Sequence, residues 1–148
     1  MTVHTIERLG TWDDVFADAS PDVRAVGEAL RDVVVALQPD TVEVPRKGDG
    51  AVSYGAGERK MSESHCYLAP QRDRGNLGFW HGIAVPDPHG LLEGTGKRLR
   101  HMKVRDVETA RGAEVRALIE AAMEERRAAL GERERQLEAR RRALAPRR

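Results

Sequence analysis

Cysteine and aromatic side chains are scarce in this chain of 148 residues, which has one Cys and only two each of Trp, Tyr and Phe. A single thiol cannot close an internal disulfide or supply a multi-thiolate zinc or iron–sulfur centre. Long apolar runs are lacking too: none approaches the roughly 18 residues a membrane helix needs, so no membrane partner is expected. Nor is there an excess of charge, since 25 Lys and Arg stand against 24 Asp and Glu, a formal +1. That balance excludes a general pull toward nucleic acid, and any charged partner must be met locally. Residues 1–14 lack a basic stretch followed by an apolar one, which makes a cytoplasmic location the expectation. The length suits one compact domain rather than two enzyme domains.

What is present reads as an α+β order. Ser20-Pro21-Asp22-Val23 carries a hydroxyl cap, a proline at the first helical position and an early acid. Val23, Val26, Leu30, Val33, Val34 and Leu37 then recur at three- and four-residue steps, predicting an amphipathic helix that stops at Pro39-Asp40. A shorter helix is expected upstream through Ile6, Leu9, Trp12 and Val15-Phe16, weakened by Gly10. From Thr41 the punctuation changes to short apolar runs between turn residues: 41–44, 51–54, 66–69 and 77–80, with 101–104 as a fifth candidate strand. An antiparallel sheet of four to five strands is predicted, packed by an N-terminal and a C-terminal helix. The Leu91-Leu92 pair is expected in one helical turn against the core.

A second long helix is expected from Arg111, with Val115, Leu118, Ile119, Ala122 and Met123 on its buried face. Beyond Met123 only Leu130, Leu137 and Leu144 continue the apolar pattern, at a seven-residue step. Residues 124–148 hold nine Arg and five Glu, a local charge of about +4. The chain therefore divides into a domain over 1–123 and a solvated helical extension over 124–148 that is expected to fray. Charged residues at seam positions allow a monomer or a weak dimer. The basic end, Arg140-Arg141-Arg142 and Arg147-Arg148, has no interleaved aromatic, so no specific nucleic-acid partner is expected.

The most unusual stretch for chemistry is Gly94-Thr95-Gly96-Lys97-Arg98-Leu99-Arg100-His101-Met102-Lys103. Glycines let successive N–H groups face one concavity, and nearby cations complement a phosphate or carboxylate. A nucleotide P-loop is excluded, because Leu91 stands where its first glycine belongs and Arg98 replaces the required Ser or Thr. The alternative is a glycine turn feeding an edge strand whose cations discourage edge pairing. Tyr54, Tyr67 and Asn76 are expected to wall the pocket beside this loop. His65 and Cys66 are adjacent, which on a regular strand sends them to opposite faces and away from a shared metal. Cys66 reads as a small buried hydrophobe rather than a nucleophile.

Ser53-Tyr54-Gly55, Lys60-Met61-Ser62-Glu63, Cys66-Tyr67, Asn76-Leu77-Gly78-Phe79 and the string from Gly90 to His101 together resemble the bacterial YdhG-like family, a small domain of unknown function. The resemblance covers roughly residues 12–123. It implies a compact α+β domain similar to frataxin, and some members of the family are described as intracellular iron chaperones. Frataxin-like iron binding uses an acidic surface on the first helix, for which only Asp13, Asp14, Asp18, Asp22 and Asp32 are at hand here. The family motifs instead surround Tyr54, Lys60, Tyr67, Asn76 and the Gly94–His101 loop.

The expectation is a non-enzymatic binding module for a small anionic ligand or an acidic partner segment, without cofactor or resident metal. Its ligand set is Tyr54, Lys60, Tyr67, Asn76, Gly94, Gly96, Lys97, Arg100, His101 and Lys103. The alternatives are an iron carrier using the N-terminal carboxylates and an enzyme using His101 or Cys66.

Overall fold

The structure, a computed structural model, describes residues 3–146. Arg147 and Arg148 of the basic end lie outside the described residues. Six strands form one sheet: β1 (His4–Thr5), β2 (Val42–Arg46), β3 (Ala51–Gly55), β4 (Ser64–Pro70), β5 (Gly75–Phe79) and β6 (Arg100–Val104). Their spatial order equals their chain order. Strands β2 to β6 are antiparallel neighbours, whereas β1 pairs parallel with β2. The expected four or five antiparallel strands thus become six in a mixed sheet. The two residues of β1 are too few to show an alternating pattern, and they add to the exposed edge of β2.

Helix α2 (Pro21–Leu37) starts where its cap predicts, with Ser20 Oγ accepting from the Val23 amide at 3.2 Å. The upstream segment is not one helix but β1, a 3₁₀ turn over Glu7–Leu9 and the four-residue α1 (Trp12–Val15). The interruption falls at Gly10, whose φ of 127° is closed to an L side chain without strain. After β6 come the short α3 (Val107–Ala110) and α4 (Ala113–Leu144). Leu91 and Leu92 are not helical; their amides are held by the Asp87 carboxylate at 2.8 and 2.9 Å while their side chains pack on the core.

Both long helices cover one face of the sheet. The core between them is built from Val26, Leu30 and Val34 of α2, Val115, Leu118 and Ile119 of α4, and Val52, Tyr54, Cys66, Leu68, Leu77, Phe79, Met102 and Val104 of the strands. Gly27 inside α2 makes room for Phe16, whose ring occupies the space a Cβ would need. Phe16 in turn stacks on Trp12 at 4.1 Å between ring centroids. Among the described residues, no helix is long and apolar enough to cross a membrane.

Candidate functional site

Pairing across the sheet decides which side chains share a face. Val52 stands opposite Leu68 and Tyr54 opposite Cys66, all beneath the helices. Ser53 stands opposite Tyr67, Tyr67 opposite Gly78 and Gly78 opposite His101, so this row runs across the other, helix-free face. One step along the strands, Arg46, Ala51, Ala69, Asn76 and Lys103 continue that face.

Tyr54 and Tyr67 therefore do not wall one pocket, contrary to the sequence-based expectation. Tyr54 is fully buried on the helix side, where its hydroxyl donates to Glu43 Oε2 at 2.8 Å. Glu43, itself 2% exposed, also accepts from Arg31 Nε at 2.6 Å and from Thr5 Oγ1 at 3.0 Å. Burial and the adjoining carboxylate push the Tyr54 phenol well above its usual range. The hydrogen bond to Glu43 raises Arg31 as well. This network fastens β1, β2, β3 and α2 together. The Val42-Glu43-Val44 alternation gave no hint of it, since it suggests that the lone acid faces solvent.

The basic loop is also used differently from expectation. Arg100 pairs with Phe79 and so has the parity of Met102 and Val104, away from the helix-free face. Its guanidinium donates to the carbonyls of Gly96 and Leu99, both at 2.6 Å, and closes the loop on itself. Gly94 has a φ of 133°, and the loop ends are tied by a two-way bridge between Glu93 and His101. Gly94, Gly96 and Lys97 are exposed at its tip, and Lys97 and Arg98 enter no ion pair among the described residues. The loop is a rim, and neither it nor the row of Ser53, Tyr67 and Asn76 on the helix-free face lines the clefts of about 350–500 Å³ formed elsewhere on the described residues.

On the helix-free face itself stand Tyr67, Asn76, His101 and Lys103 from the expected set, with Lys60 reaching the Trp80 end of it. Tyr67 leans across Gly78, whose missing side chain admits the ring. Trp80 packs on Tyr67 with ring centroids 4.7 Å apart, and Lys60 Nζ lies 5.5 Å from the Trp80 ring. Segment 56–63 folds back over this face: Arg46 donates to the Glu58 carbonyl, Lys60 pairs with Asp49 at 2.6 Å, and His81 donates to the Met61 carbonyl. Lys103 is 3.3 Å from Glu93, and Asn76 Oδ1 accepts from Arg74 Nε at 3.3 Å. Partial burial raises the Tyr67 phenol, which keeps it protonated and able to donate.

Three buried polar atoms on this face have no partner: Arg46 Nε, Ser53 Oγ and Trp80 Nε1. Each is a hydrogen-bond donor, and leaving such a group buried and unmade costs about 1–3 kcal/mol. Arg46 and Ser53 were missed from the sequence. The Val52-Ser53-Tyr54 alternation did carry the signal for Ser53, because a polar residue between two core positions must face the opposite side.

Chemistry that needs a nucleophile or a metal finds less support. Cys66 is fully buried, and desolvation drives its thiol far above the usual range. A bulge between Tyr54 and Gly55 inserts His65 as an extra residue of β4, so His65 and Cys66 are not sent to opposite faces as a regular strand would send them. His65 turns to Gln38 at the end of α2, with Nε2 2.8 Å from Oε1, and burial lowers its pKa to about 4. Among the described residues no three His, Cys, Asp or Glu side chains converge to hold a metal ion. Asp14 caps α1, Asp13 pairs with Arg24 and Asp32 lies 3.6 Å from Arg111. Comparison with known proteins finds no matching family model, no matching characterised protein and no matching solved structure.

Proposed function

We propose that the chain is a non-enzymatic, cytoplasmic binding module that holds a small anionic ligand on the helix-free face of its sheet. The observation that carries this reading is the set of three unpartnered buried donors on one face, Arg46 Nε, Ser53 Oγ and Trp80 Nε1, with Lys60 over the Trp80 ring. Native proteins seldom leave buried donors unmade, and a group rich in oxygen lone pairs, phosphate or carboxylate, satisfies several at once. Lys60 and Lys103 already pair with Asp49 and Glu93, so a ligand would compete with exposed carboxylates rather than meet bare charge. Lys97 and Arg98 on the rim add attraction at longer range. We retain the YdhG-like resemblance of the sequence, with the frataxin-like architecture it implies, as part of the proposal.

The test uses the intrinsic fluorescence of Trp80. In a Trp12→Phe background only Trp80 emits, and titration with inorganic phosphate and with citrate should change its emission saturably. Lys60→Ala should weaken the change at least tenfold with the domain still folded. No saturable response to either anion at millimolar concentration overturns the proposal.

A further inference from the structure

Between the end of α2, the start of β4 and the middle of α4 lies a cleft of about 350 Å³. His65 lines it while only 4% exposed, carried there as the extra residue of the β4 bulge rather than by strand alternation. Its Nε2 donates to Gln38 Oε1 at 2.8 Å, which leaves Nδ1 a bare acceptor, buried and without a partner. Burial holds the ring neutral, with its pKa lowered to about 4, so the Nδ1 lone pair is unprotonated at neutral pH. Native proteins seldom leave such an atom unmade.

The rest of the lining has two characters. Met123 and Leu130, two turns apart on α4, make an apolar side. Four charged side chains border it, Arg126, Arg127, Glu63 and Glu134. Both cations are already engaged: Arg126 holds Glu125 and the carbonyls of Met61 and Ser62, and Arg127 holds Glu124 at 2.6 Å. The carboxylates are not neutralised. Glu63 Oε1 accepts the Arg59 amide at 3.2 Å and meets no cation, and Glu134 has no ion pair or hydrogen bond among the described residues. Every group left unanswered is therefore an acceptor or an anion, and the wall between them is hydrocarbon. From Met123 to Glu134 the cleft follows α4 for about 16 Å.

We propose that this cleft binds a linear aliphatic polyamine. Its ammonium groups donate to His65 Nδ1 and to the carboxylates of Glu63 and Glu134, and the methylene segments between them lie on Met123 and Leu130. Other ligand classes fit less well. A metal ion lacks a site, because among the described residues no three His, Cys, Asp or Glu side chains converge. An anion would meet two unneutralised carboxylates, and a purely apolar molecule would leave the Nδ1 lone pair unmet. The reading is independent of the anion site on the other face of the sheet.

Calorimetric titration of the full chain with spermidine at low ionic strength tests this, with saturable binding expected below about 1 mM. The nitrogen NMR resonance of His65 Nδ1 reads the contact itself, since it moves upfield when a bare imidazole nitrogen accepts a hydrogen bond. Glu134→Gln, at an exposed helical position, should weaken binding about tenfold with helicity kept. Glu138→Gln, one turn farther out and away from the cleft, removes the same charge and should change binding by less than about twofold. Magnesium chloride supplies cationic charge without hydrocarbon and should not move the Nδ1 resonance. No saturation by spermidine, an unmoved Nδ1 resonance, an equal response to magnesium, or equal losses in the two Glu variants overturns the proposal.

Discussion

The cluster around Glu43 and the helix-free face of the sheet handle buried polar groups differently. Beneath the helices, Glu43 is surrounded by Arg31, Tyr54 and Thr5, while His65 Nδ1 and Trp12 Nε1 on that side have no partner. On the helix-free face, Ser53, Arg46 and Trp80 keep unmade donors. The groups around Glu43 are bound to one another and hold strands to a helix. Those on the helix-free face are not, and their cost is understandable if a ligand completes them.

The largest effect that separates the faces is expected at Glu43. Glu43→Ala leaves the Tyr54 hydroxyl without a buried acceptor and Arg31 without its carboxylate, and should cost about 3–5 kcal/mol in urea unfolding. A loss under about 1 kcal/mol would erase the distinction. Next comes pH. His65 is held neutral with a pKa near 4, against 6.5 for an ordinary imidazole. As pH falls below 6.5 the unfolded chain takes up the proton first, so stability is complete above 6.5 and declines toward pH 4 by about 3 kcal/mol. Urea midpoints at pH 7 and 4.5 should show that decline in the parent chain and much less of it in His65→Gln. Equal declines would remove His65 as its origin. The smallest effect on stability belongs to Ser53→Ala, which deletes an unpartnered hydroxyl and should leave stability within about 1 kcal/mol while weakening the fluorescence response to phosphate. A large loss of stability with phosphate binding unchanged would make Ser53 an ordinary part of the core.

Helix α2 was legible in the sequence to its first residue, because Ser20 and Pro21 act locally and the apolar step repeats over 17 residues. Strands β2 to β6 were legible as elements because each is bounded by turn residues, such as Lys47-Gly48-Asp49-Gly50. Which residues meet was not. Register and the bulge at His65 are set by packing between strands distant from any local signal, and they moved Tyr54 away from Tyr67. Of the site, Tyr67, Asn76, His101 and Lys103 could be chosen for their chemistry and do share a face. Lys60 joins them only because segment 56–63 doubles back, which no periodicity announces. The tail was read as a charged helix that frays, whereas α4 continues unbroken to Leu144, carried by ion pairs within the helix that spacing alone did not weigh.

Sheet order that equals chain order has a bearing on how the chain finds its fold. From β2 to β6 every strand pair joins neighbours in sequence, so loop-closure entropy is modest and the meander can zip one hairpin at a time. The β1–β2 pair is different, since it joins His4 to Val42 across both α1 and α2. That closure depends on α2 being docked already, and it secures only two paired residues and the Ile6 amide on Glu43. The N-terminal edge is thus the last piece to lock during folding and the first to open, and amide exchange in the native protein should be fastest there among the strands.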